Sequence, residues 1–207
     1  MPPMFRALFV AALAVSLAAC SGMRETQPDR SATEQLLFSS AMDRVGDALA
    51  LEIHKETKVY VEEKYVEGTD SKYLVATIRD RVLRAGGMLA ASLAEADLVL
   101  EPRIGAASVD RKTFLLGIPS FPIPIPLAGP LQFPELALFK RDRQQGVVKL
   151  ALTSYDARTG ALYKSADPVF GFSERTDWVA LLFINWQDNN LVPKPYRQNW
   201  TGKGTFD

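Results

Sequence analysis

Few side chains in this chain have the type and spacing for chemistry, and the first is a thiol. Cys20 is the only cysteine, so no internal disulfide can form and the thiol is left for another use. It follows Leu17-Ala18-Ala19, and small residues ahead of a cysteine are the pattern that lipoprotein processing needs to acylate the thiol and cut before it. Upstream lie the basic start MPPMFR and an apolar run from Ala7 to Ala19, shorter than the roughly 20 residues that span a bilayer. Such a segment reads as a secretion signal. The residue after the cysteine is Ser21 rather than an aspartate that would retain the chain at the inner membrane. The expectation is a chain anchored by acyl groups on Cys20 to the outer membrane and facing the periplasm.

The other reactive types are sparse. The one histidine, His54, stands in LEIHKET with no nucleophilic serine or cysteine in a recognisable setting. Zinc needs several converging ligands, which one histidine and an acylated cysteine cannot supply, so no metal is expected. Glu62, Glu63 and Glu67 cluster on and after a predicted strand and could in principle form a carboxylate pair for glycoside hydrolysis. Carboxylates so close in sequence more often form a solvated face. Gly86-Gly87 lacks the lysine of a phosphate loop and the spacing of a dinucleotide site. No catalytic residue, no cofactor and no enzymatic activity are expected. Charges balance, 24 basic against 24 acidic, which argues against a nucleic-acid partner.

These residues are carried by 207 positions, of which 1–19 are the expected signal and 20–30 a polar tether. One domain is expected over 31–186, with a polar tail over 187–207. Ser31 and Glu34 stand in capping-box spacing, and Leu37, Ala41, Val45, Ala48 and Leu49 recur at helical intervals, predicting a helix from Thr33 to Leu51. KVYVEEKY at 58–65 predicts a strand. Leu74, Ile78 and Val82 predict a second helix, begun at Asp70 or Ser71 and stopped by Gly86-Gly87. A short strand is expected over 88–93. A longer one over 97–109 has an edge or bulge signalled by Pro102 and Gly105. Val147 to Ser154 alternate, Asp156 to Gly160 supply turn chemistry and Ala161 to Tyr163 start a return strand, which predicts a hairpin. The fold expected is α/β, a small two-layer sandwich of two helices on a mixed sheet.

Residues 114–139 interrupt this rhythm. Six prolines, at 119, 122, 124, 126, 130 and 134, sit among apolar residues, forbidding a helix or a central strand. Two readings stand. The segment folds over its own domain, burying Phe114, Leu115, Leu116, Phe121, Leu127, Leu131, Phe133, Leu136, Leu138 and Phe139. Alternatively it is a stiff extended element that meets a partner or a membrane through Phe121, Ile123, Ile125, Leu127 and Phe133. Residues 178–186, WVALLFINW, form a second apolar cluster.

GIPSFPIPIPLAG at 117–129 and PELALFKRDRQQGVVKLALTSYDARTGAL at 134–162 resemble an uncharacterised family of Gram-negative lipoproteins, a domain of unknown function, over about Ala32 to Tyr163. That resemblance supports the lipoprotein expectation and imports no activity. More distantly, the element order and the turn YDARTGALY, with Asp156, Thr159 and Gly160, are similar to the periplasmic domains of curli-secretion-type, penicillin-binding-protein-activator and transporter-auxiliary lipoproteins. The resemblance implies a binding or assembly role, with an envelope protein or further copies of the chain as partner.

Overall fold

The computed structural model describes residues 30–68, 70–125 and 129–192. Cys20 and its tether up to 29, Leu127, the side chain of Ile125 and the tail beyond 192 lie outside the described residues.

Two helices form where the apolar periodicity places them. α1 runs Ala32–Ala48 and buries Leu37, Phe38, Ala41, Met42 and Val45. It stops three residues before Leu51, leaving Ala48 exposed while Leu49 is buried just past its end. β1 is Lys58–Val61, shorter than expected, because the chain turns at Lys64 and Tyr65, closed by the Val66 N–H to the Glu63 carbonyl. α2 is Ser71–Arg84; it buries Leu74, Val75, Ile78 and Val82, and Gly86 follows at φ 91, the left-handed conformation that ends a helix. Between the helices the Tyr73 hydroxyl donates to Asp43 Oδ1 at 2.7 Å, a bond that raises the Tyr73 pKa to about 12.

β2 is Met88–Leu89, and a single 3-10 turn over Leu93–Glu95 precedes β3, Leu98–Ile118. β4 is Phe121–Ile125, β5 Gly129–Phe133, β6 Leu136–Asp156, β7 Leu162–Ala180 and β8 Ile184–Asn189. Six strands make one sheet in the order β2-β1-β3-β6-β7-β8, parallel among the first three and antiparallel thereafter, while β4 and β5 pair only with each other. The class is α/β with a mixed sheet, but strand content outweighs the expected two-helix sandwich. β3 and β6 are 21 residues each and β7 is 19.

The expected hairpin is present and much longer than its alternating core. Its turn is held by the Asp156 carboxylate, which accepts the N–H groups of Arg158 at 3.0 Å and Thr159 at 2.8 Å and the Thr159 hydroxyl at 2.9 Å. These bonds, those from Thr159 foremost, hold the Asp156 carboxyl below the usual carboxylate range. The bulge expected near Gly105 is also present, as a register shift between Ile104 and Ala106.

Opposed residues share a face, so the register defines rows across the sheet. Toward the helices run Ile104-Leu150-Val169, Ala107-Val148-Gly171 and Val109-Gly146-Ser173. The two glycines matter because α1 lies with its backbone almost on the sheet. A Cβ at Gly171 would stand 2.0 Å from the Ala41 carbonyl oxygen, and one at Gly146 would stand 2.5 Å from that of Leu37. The Ser173 hydroxyl donates to the same Leu37 carbonyl, and Arg44 donates from α1 to the carbonyls of Phe172 and, at 2.6 Å, Asn190.

Gly171→Ala is expected to force α1 off the sheet and to cost about 1–3 kcal/mol, the usual range for overpacking. Urea denaturation of the variant beside the parent chain measures this, and an unchanged midpoint would contradict the close approach.

Candidate functional site

Beyond the N-terminus of α1 the sheet continues with no helix over it. Its first stretch not covered by a helix is charged on both faces. On the helix side come the rows Arg111-Gln144-Arg175 and Thr113-Asp142-Asp177. Asp142 and Asp177 face each other across β6 and β7, and each carboxylate is held by an arginine. Arg111 Nε donates to Asp142 at 2.9 and 3.0 Å, and Arg175 reaches Asp177 at 2.9 and 3.0 Å while also donating to Thr33 Oγ1 at 2.8 Å. The hydrogen bond from Arg111 lowers the pKa of buried Asp142. On the opposite side come Asp110-Gln145-Glu174 and Lys112-Arg143-Thr176, with Arg143 bonded to Glu174 at 2.7 Å.

Past this charged waist the opposite face turns aromatic. The next row is Phe114-Arg141-Trp178-Trp186, and the one after it Leu116-Phe139-Ala180-Ile184. Trp178 and Trp186 stack at 5.8 Å, Phe139 lies 5.8 Å from Trp178, and the Arg141 guanidinium lies 5.6 Å from the Trp178 ring. On the body side of the waist the same face carries Phe170 and Phe172, stacked at 6.2 Å and both about half exposed. A lone exposed hydrophobe needs no explanation; a contiguous field of aromatics marks an interaction surface.

Two hairpin ends complete this apolar region. The loop Leu181-Leu182-Phe183 joins β7 to β8, and Phe183 is 75% exposed. Leu181 and Leu182 have φ of 50° and 71°, a conformation that hairpin turns usually give to Asn or Gly and that costs an L-residue roughly 1–2 kcal/mol. The other end is the β4–β5 ribbon, in which Phe121 stacks on Phe133 at 4.9 Å. Phe121 and Ile123 are exposed and Phe133 is half-buried. These three of the five residues singled out from sequence share one face with Leu131 by the register Phe121↔Phe133 and Ile123↔Leu131.

The packed reading of 114–139 is overturned. Phe114 is 53% and Leu116 56% exposed, and Phe121, Leu131, Leu136 and Leu138 are exposed as well. The segment does not fold back as an insertion; it extends β3 and β6 and ends in its own ribbon. The 187–207 tail also begins differently, since Gln187 to Asn189 pair in β8 and Leu191 is buried.

The residues with chemistry remain dispersed. His54 is exposed and lines a groove of about 130 Å³ with Asp97 and Asp156. Asp97 accepts the Lys58 N–H at 3.2 Å and Asp156 is committed to its turn. Glu62 follows β1 and accepts the Lys64 N–H at 3.1 Å, while Glu63 and Glu67 are exposed in the turns before α2. Among the described residues no group of three or more His, Cys, Asp or Glu is placed to hold a metal. No helix among them is long and apolar enough to cross a membrane. Sequence reasoning missed the Trp178–Trp186 stack because those residues fall on separate strands that only register brings together.

A protein family described as "Family of unknown function (DUF6655)" matches residues 14–180, more than half of the chain. The chain belongs to that family. The match reaches beyond the 32–163 stretch of the resemblance at both ends, and so takes in the whole of β7. A comparison with curated proteins found no match. Membership in DUF6655 brings a fold unit and no activity, so function is argued from the surface.

Asp142→Asn is expected to remove a charge-assisted pair and cost about 1–3 kcal/mol at pH 7. Because Asp142 titrates below an unfolded carboxylate, at about 3.9, its contribution is present above that value and lost as pH falls through the lowered one. Urea unfolding of parent and variant should therefore differ at pH 7 and the gap should shrink as pH falls below about 3.9; a gap that stays constant into acid would contradict the pairing.

Proposed function

We propose that the protein is an outer-membrane lipoprotein, anchored by acyl chains on Cys20 and facing the periplasm, whose domain has a non-catalytic assembly role in an envelope complex. The sequence support is the signal-like start and the small residues before Cys20. Stable anchoring takes two or more acyl chains, as a processed lipoprotein carries.

The observation that carries the assembly role is the helix-free face of the sheet. It presents Phe170 and Phe172 on one side of a charged band and Trp178 and Trp186 on the other. Apolar anchors rimmed by charges are the composition of protein interfaces, where aromatic residues carry most of the binding energy and the polar rim sets register. Glu62 accepts the Lys64 N–H while Glu63 and Glu67 are exposed, and no contact among the described residues pairs these carboxylates with one another, which favours binding over hydrolysis.

Two measurements test this. Labelling cells with a palmitate analogue should mark the parent chain and not Cys20→Ser, and an unlabelled parent would remove the anchor. A photoreactive residue at Phe172 should capture a discrete protein, or a second copy at twice the mass, where one at Glu63 captures neither. Equal capture from both positions, or none from Phe172, would remove the assembly role.

A further inference from the structure

The geometry points to the β4–β5 ribbon and the Leu181–Phe183 turn as wedges that enter the headgroup–acyl boundary of a lipid bilayer. This deepens the reading above and rests on it only for the nearness of a membrane.

The prolines supply the argument that separates lipid from a protein partner. In the register Phe121↔Phe133, Pro122↔Gln132, Ile123↔Leu131, Pro124↔Pro130, Ile125↔Gly129, the ladder bonds must be made by Phe121, Ile123, Ile125 and their partners, because proline has no donor. The alternate positions turn their backbone groups outward. On β4 both of those positions, 122 and 124, are proline, and on β5 one of the two, 130, is proline. The ribbon therefore has edges almost stripped of N–H groups. A strand from another protein has few donors there to pair with. In a medium without water, where an unsatisfied N–H is strongly penalised, the same substitution removes the penalty.

The side chains agree. From Phe114 to Phe139 the only charged residue is Glu135, and Lys140 neutralises it at 2.7 Å. The turn between β7 and β8 keeps two leucines in a left-handed conformation and an exposed phenylalanine, a composition that gains nothing in water. Behind the ends, past the apolar row Leu116-Phe139-Ala180-Ile184, stands the row Phe114-Arg141-Trp178-Trp186, with Lys112 and Arg143 one row further back. Tryptophans with cations behind them are what a membrane–water interface selects. Entry is shallow. The ribbon's outward carbonyls still need water, and the β7–β8 end reaches only about four residues past Trp178, roughly 13 Å at about 3.3 Å per residue.

The test uses the full acylated chain in vesicles of phosphatidylethanolamine and phosphatidylglycerol. Acylation occupies the single native thiol, so Ile123→Cys, Leu182→Cys and Glu63→Cys each accept one environment-sensitive fluorophore. At positions 123 and 182 the expected result is a blue shift, with stronger quenching by nitroxide near the headgroup than by nitroxide at mid-bilayer, while position 63 keeps its aqueous emission. Aqueous emission at either hairpin end, or stronger quenching from mid-bilayer, overturns the proposal. Restoring donors with Pro122→Ala, Pro124→Ala and Pro130→Ala in the Ile123→Cys chain should abolish most of the quenching; unchanged quenching overturns the edge argument. Should the parent chain itself take up fluorophore at Cys20, the anchor reading fails separately, and the emission at 123 and 182 still decides insertion.

Discussion

The structure depends on a mismatch of lengths. A helix of 17 residues covers about 26 Å at about 1.5 Å per residue, while a strand of 21 residues runs close to 70 Å at about 3.3 Å per residue. α1 therefore covers one end of β3, β6 and β7 and no more, while α2 packs beside it over β1 and β2. At the covered end the usual rules apply: Val148 and Leu150 meet Met42 and Val45 in a dry core, and Gly146 and Gly171 let the helix backbone settle. Every feature of the uncovered end answers the question of what a strand does when its layer runs out.

The first answer is charge. Rows of arginine paired with aspartate or glutamate occupy both faces where the helix stops. The pairs at Glu174 and Asp177 are partly wet and individually weak, Asp142 is buried and counts for more, and together they satisfy the charges of a two-faced strand while leaving the ladder intact. The second answer is the aromatic rows beyond. Left bare they would be a liability in water, so they mark this end as a surface that meets something else.

What could be read in advance follows from where burial is one-sided. The α2 boundaries, the Gly105 bulge and the Asp156 turn were legible because one face is dry and the turn chemistry is local. The outer halves of the strands were hidden for two reasons. KRDRQQ at 140–145 puts charges on both faces, so no alternation survives for periodicity to detect. IPSFPIPIP at 118–126 counts against a strand only if its prolines face a partner; in a two-stranded ribbon those described, 122 and 124, face outward. The apolar surface that 178–186 helps to form was visible as composition, but its pairing with Phe114 and Arg141 exists only through register.

The Asp156 turn has a consequence for the order of assembly. β6 and β7 are joined across Asp156 to Gly160, so their pairing from Tyr155↔Leu162 onward closes a very short loop, and each further pair extends a zipper already begun. β1 and β3, by contrast, are parallel neighbours separated by the whole of α2, and Val59 meets Leu98 only after that crossover has folded. Low contact order in the antiparallel half and high contact order in the parallel half place the slow search in the helical body. The long ribbon, with its apolar ends, is thus the part of the chain able to find its partners first.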